Sequence, residues 1–119
     1  MKKPYVTMQV GDKEYKLKFS AAASVEAEKK LGKGLMASLQ TVDSVTTQIT
    51  MLWAAMQKYN HGINMEDAAN IYDAYMDSET GGFEEFLEIL VEVFTVSGFI
   101  KPDQVEEIKG TKSAKKSKA

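Results

Sequence analysis

The 119-residue sequence contains no cysteine and no arginine. The lack of cysteine excludes disulfide scaffolds, thiol nucleophiles, zinc–thiolate sites and iron–sulfur clusters. All fifteen basic residues are lysine. Because lysine cannot reproduce the planar, bidentate guanidinium group, sequence-specific nucleic-acid binding and arginine-finger chemistry are both disfavoured.

Residues suited to catalysis are equally scarce. His61 is the single histidine, and it lies between Asn60 and Gly62 in an expected helix end. A general base needs an oriented partner and a reacting group within reach, and no neighbouring pattern supplies either. No P-loop, nucleophile-elbow or dinucleotide-binding motif is present. We therefore expect no enzymatic activity, no catalytic residue, no cofactor and no metal site.

Long apolar runs are also missing. No stretch approaches the roughly 20 apolar residues that cross a bilayer. Met1-Lys2-Lys3 is followed by Pro4, Gln9, Gly11 and Asp12 rather than by the apolar core of a signal peptide. The sequence therefore predicts a soluble protein.

The composition is that of one globular domain followed by a polar tail. Hydrophobic residues make up 44% and charged residues 27% of the chain, which are ordinary globular values. Residues 1–100 are predicted to form a single α+β domain. Residues 101–119 are predicted to be a flexible basic tail, since 110–119 are almost all Gly, Ser, Thr, Ala and Lys.

The N-terminal residues 5–19 predict an antiparallel β-hairpin. Apolar and polar residues alternate on both sides of Gly11-Asp12. A two-residue loop there pairs Met8 with Tyr15 and Val6 with Leu17, which puts both apolar sets on one face.

The remainder predicts a small bundle of about four α-helices on which this hairpin packs. Ser20 and Asn64 are expected N-caps, Asp43 or Ser44 is expected to begin the second helix, and Leu35–Leu39 can add a short turn. The predicted helices span residues 20–31, 44–60, 65–78 and 83–97.

Charge and apolar character are unevenly distributed. Residues 1–58 contain nine lysines and five acids, whereas residues 59–100 contain nine acids and no lysine. The helix at 83–97 is apolar over most of its circumference, which predicts a central position and more apolar surface than one small fold can cover. We expect the surplus to mediate self-association and partner binding through Trp53, Met56, Phe86, Leu90, Val93 and Phe94.

Residues Asp77–Glu88 offer a competing interpretation. They place Asp at loop position 1, Gly at 6 and Glu at 12, as in an EF-hand calcium loop. Positions 3, 5 and 8 depart from that pattern, and a capped helix start explains the same residues. Calcium binding is therefore the weaker hypothesis.

The order and character of these elements resemble the tail assembly chaperones of long-tailed phages and of prophages in low-GC Gram-positive bacteria. The resemblance covers residues 4–100. It is carried by the hairpin at residues 5–19, above all Gly11–Phe19, by the alanine-rich helix ending in Gly32-Lys33-Gly34, by the apolar stretch Phe83–Gly98 and by the lysine-rich end.

The resemblance implies a non-enzymatic protein of the host-cell cytoplasm that does not remain in the mature virion. Such chaperones coat the long tape measure protein, keep it soluble and recruit tail tube subunits. In this family a longer form is often made by ribosomal frameshifting, with which Lys115-Lys116 is compatible. The alternative function is that of another self-associating adaptor or virion assembly component.

Overall fold

The structure is a computed structural model that describes residues 4–101. Apart from Lys101, the predicted basic tail lies outside the described residues. The α+β fold is confirmed: a two-stranded hairpin precedes the helices, and a 3₁₀ turn, Leu39–Thr41, follows the second of them. The elements are β1 Val6–Val10, β2 Lys13–Leu17, α1 Ala21–Leu31, α2 Leu35–Ser38, α3 Val45–Met56, α4 Met65–Asp77 and α5 Phe83–Val96. No helix among residues 4–101 is long and apolar enough to cross a membrane.

The hairpin has the predicted register. β1 and β2 are antiparallel, with Met8 opposite Tyr15 and Val6 opposite Leu17. Val6, Met8 and Leu17 are buried beneath the sheet, and the intervening side chains are exposed. The hairpin continues into the helical layer through a hydrogen bond from Lys18 N to Ala55 O of 2.9 Å.

Side-chain caps fix the start of three helices. The hydroxyl oxygens of Ser20 and Ser44 accept hydrogen bonds from the third backbone N–H of α1 and α3. Asn64 and Asp67 form a reciprocal capping box at α4, with N···O distances of 2.8 and 3.0 Å. Each cap satisfies amides that a helix leaves unpaired at its first turn, so these predicted starts are confirmed.

The turn between α4 and α5 depends on close backbone approach. A Cβ on Gly81 would collide with the backbone carbonyl of Tyr75. The chain can therefore reverse here only with a residue that has no side chain, and Gly82 follows as the N-cap of α5.

Helix α3, rather than α5, is the central helix, which corrects the prediction. It packs against α1, α4, α5 and β2, and eight of its twelve residues are buried. In α5, five of fourteen are buried. The reason lies in the residues: α3 carries no charge, and the small side chains of Ala54 and Ala55 let neighbours approach. Helix α3 also ends at Met56, earlier than the predicted residue 60.

A polar pair lies inside this core. The Gln48 side chain is fully buried; its Nε2 donates to Val42 O at 2.7 Å, and its Oε1 accepts from the Tyr72 hydroxyl. The pair joins α3 to α4. Burial, and then the negative charge of Asp73, raises the pKa of Tyr72. Burial, followed by the charges of Glu85 and Glu88, raises the pKa of Tyr75.

The first testable prediction concerns this pair. Tyr72→Phe removes the donor to Gln48 and leaves a buried oxygen unpaired, so the free energy of unfolding in urea should fall by about 1–3 kcal/mol. Tyr75→Phe is the matched control. Its ring is equally buried on α4, but its hydroxyl has no hydrogen bond to residues 4–101, so its loss should stay below about 0.5 kcal/mol. Equal losses in the two variants would contradict the assigned pair.

A second prediction follows from the raised tyrosine pKa values. Both tyrosines favour the protonated form in the folded protein, so their contribution to stability is complete below the ordinary pKa of 10.0. It is lost as the pH rises through the higher folded-state values. The free energy of unfolding should therefore fall with pH in the alkaline range, less steeply in a Tyr72→Phe/Tyr75→Phe variant. Identical alkaline slopes would show that neither tyrosine is responsible.

Candidate interaction surfaces

Five of the six predicted partner-binding residues lie in the core instead. Met56, Phe86, Val93 and Phe94 are fully buried, and Leu90 is 1% exposed. The prediction that these side chains form an external apolar surface is therefore wrong for the folded chain.

Aromatic residues from other parts of the chain cover the buried side of α5. The ring of Phe94 contacts Phe19 and Phe99, at centroid distances of 5.0 and 5.6 Å. The ring of Phe86 lies 5.2 Å from Tyr72 and 5.9 Å from Tyr75. Sequence reasoning left out this cover because Phe99 and Ile100 follow the end of α5 and carry no helical or strand periodicity of their own.

The chain after α5 folds back onto its last turn. Phe99 N donates to Phe94 O at 2.9 Å, and Ile100 is buried. Ser97 joins the same corner, since its hydroxyl accepts from Phe19 N at 2.9 Å. The exposed side of α5 carries the predicted polar stripe, Glu84, Glu85, Glu88 and Glu92, together with Phe83 at the start of the helix.

Trp53 is the one predicted binding residue that keeps contact with solvent. It is half-buried, and the Lys30 ammonium lies 5.3 Å from its ring centroid. At this distance the cation is attracted to the face of the ring.

Trp53 belongs to an uncharged strip along the outer side of α3. Val45, Ile49 and Trp53 follow one another at intervals of one helical turn, with Thr46 beside them. Val45 is 53% exposed, Thr46 is exposed, and Ile49 and Trp53 are half-buried. We call these four residues the α3 strip. The sequence signal for it was the complete absence of charge from Val45 to Met56.

A second surface combines aromatic rings and cations. The rings of Tyr5 and Tyr59 meet edge to face, with centroids 5.6 Å apart. Lys16 Nζ lies 4.9 Å from the Tyr5 centroid, and Lys58 Nζ lies 6.0 Å from that of Tyr59. We call these four residues the Tyr–Lys patch. It unites the residue before β1, the last part of β2 and the turn after α3.

The positions considered for catalysis and calcium do not form a site in the part of the chain that the structure describes. His61 is exposed in the turn after α3. Helix α5 begins at Phe83, so residues 83–88 are helical and do not form the second half of an EF-hand loop. Among residues 4–101, no group of three or more His, Asp or Glu side chains is placed to hold a metal ion.

Comparison with known proteins yields no matching family model, no matching curated protein and no matching solved structure.

The third prediction separates the core of α5 from the α3 strip. Leu90→Ala should lower the free energy of unfolding by about 2–5 kcal/mol, because it leaves a cavity in the hydrophobic core. Val45→Ala should change it by less than about 0.5 kcal/mol, because the Val45 side chain is exposed. Urea denaturation of both variants checks this. A small loss for Leu90→Ala would mean that the buried side of α5 is not packed against the rest of the fold.

Proposed function

We propose that this protein is a non-enzymatic phage tail assembly chaperone. It self-associates, coats the tape measure protein, keeps it soluble in the host-cell cytoplasm and recruits tail tube subunits. The resemblance in element order supplies the identity of the partners. The α3 strip supports the proposal physically, because it offers a partly exposed apolar row on a helix without charge.

The strip is suited to an apolar helical partner. Side chains at intervals of four residues form a ridge that fits the groove between side chains of a second helix. Helix α3 itself carries no charged residue. Binding an apolar stripe of the partner would therefore bury no charge of α3. A tape measure protein, as the resemblance describes it, is a long helical chain that offers such stripes many times.

Each contact on the strip is small. At about 25 cal/mol per Å² of apolar area, a patch of a few hundred Å² contributes several kcal/mol before the cost of association is subtracted. One copy would therefore bind weakly. Many associated copies bind one tape measure protein more tightly, because each bound copy raises the effective concentration of its neighbours at the next binding site.

The acidic helices account for solubility of the coated complex. Helices α4 and α5 carry exposed acids and no lysine, whereas the strip lies on α3. With the strip turned towards the client, the exposed acids keep the net charge of the assembly away from zero.

The fourth prediction tests the strip by co-expression with the tape measure protein and the tube subunit of the same phage. The Val45→Glu/Thr46→Glu variant should lose tape measure protein in a pull-down, because two carboxylates then face the apolar client. Both positions lie in the first turn of α3, where acids favour the helix dipole, so the fold should be retained.

Val25→Glu/Ala22→Glu is the matched control. Val25 is 51% exposed and Ala22 is exposed, both on α1, so this variant adds the same charge to another surface. It should capture tape measure protein as the unaltered chain does. Failure of the unaltered chain to capture tape measure protein, in preparations that do recover the tube subunit, counts decisively against the proposed function.

A further inference from the structure

The Tyr–Lys patch is held in a fixed position by the fold. Asn60 Nδ2 donates to Lys16 O and to Met56 O, both at 3.0 Å, which ties β2 to the end of α3. The two ammonium groups lie beside the two rings that this tie brings together. The cationic and aromatic groups are therefore arranged before any partner binds, which reduces the ordering cost of binding.

The chemistry of the patch selects an anionic partner with some apolar surface. Lys16 and Lys58 are exposed, and Tyr59 is 37% exposed. Single-stranded nucleic acid is one ligand for rings beside cations. It is the less favoured one, because the chain has no arginine for stacking or for bidentate phosphate contacts.

The chain itself carries a surface of the required kind. Glu85, Glu88 and Glu92 lie on the outer side of α5 at intervals of three and four residues, and all are exposed. None of the three is in an ion pair with residues 4–101. Like charges at these spacings repel one another on an isolated helix, so a cationic surface against them relieves that repulsion. Phe83, 46% exposed, adds apolar surface at the start of the same helix.

We infer that the Tyr–Lys patch of one copy binds the acidic outer side of α5 on a second copy. The complementary charges lie in different parts of the chain: acids without lysine in residues 59–100, and an excess of lysine before them. The two surfaces differ, so the contact is head-to-tail. A pair of copies therefore keeps one free Tyr–Lys patch at one end and one free acidic side of α5 at the other. Repetition of such a contact produces a ring or an open array.

This inference rests on the self-association in the proposed function but not on binding of the tape measure protein. The Tyr–Lys patch and the outer side of α5 join copies of the chain to one another. The α3 strip remains available to the tape measure protein.

A charge exchange in the full chain provides the fifth prediction. Lys16→Glu/Lys58→Glu makes the patch acidic, and Glu88→Lys/Glu92→Lys makes the outer side of α5 basic. Each variant alone then places like charges at the interface, and its apparent dissociation constant for self-association should rise by about tenfold or more. An equimolar mixture should associate again, because every altered patch meets an altered α5 and every unaltered patch meets an unaltered one. Sedimentation velocity over a range of protein concentrations measures this.

The control is Lys29→Glu/Lys33→Glu, which makes the same change in net charge on exposed residues outside the patch. It should associate as the unaltered chain does, and circular dichroism should show that all variants are folded. The inference is overturned if the unaltered chain is monomeric at every concentration, if either patch or α5 variant still associates normally, or if the mixture fails to associate. It is also overturned if the patch change leaves self-association intact and abolishes binding of a single-stranded oligonucleotide.

Failure of this inference can be told apart from failure of the proposed function. If the unaltered chain does not capture tape measure protein but the charge-exchange variants associate as predicted, only the chaperone assignment is overturned. Tape measure capture by the unaltered chain, without recovery of association in the mixture, overturns the head-to-tail contact alone.

Discussion

The fold depends on the packing of its other elements around one helix that has no charge. Helix α3 packs against α1, α4, α5 and β2, and it can do so because none of its twelve residues is ionisable. The largest of its buried polar side chains, Gln48, has partners at both ends, Val42 O and the Tyr72 hydroxyl, so burial does not leave that amide unpaired. The hairpin, the acidic helices and the two candidate surfaces all take their positions from this arrangement.

Local chemistry made much of this fold predictable. The hairpin register follows from alternation around Gly11-Asp12, and the helix starts follow from caps at Ser20, Ser44 and Asn64. These features depend on a few neighbouring residues, so they can be deduced without knowing what packs against them. The end of α3 at Met56 was harder to predict, because the periodic apolar residues continue to Tyr59 after the helix has ended.

The location of the surfaces was not predictable in the same way. The apolar side of α5 suggested an interface because the sequence does not show which residues pack against it. In the structure Phe19, Tyr72 and Phe99 do so. These residues are distant in the sequence or lie outside any helix or strand. Burial is a property of the assembled chain. By contrast, Tyr5, Lys16 and Tyr59 become neighbours only when the hairpin meets the end of α3, so no spacing in the sequence could have grouped them.

The fold-back after α5 brings residues 97–100 against the packed core. Ile100 is buried, Phe99 lies against Phe19 and Phe94, and Ser97 accepts a hydrogen bond from the residue that precedes α1. A chain truncated at Val96 would keep helices α1 to α5 yet lose residues that pack against Phe19, just before α1. A fragment that retains this corner must therefore include Ile100, whose neighbour Phe99 lies against Phe19.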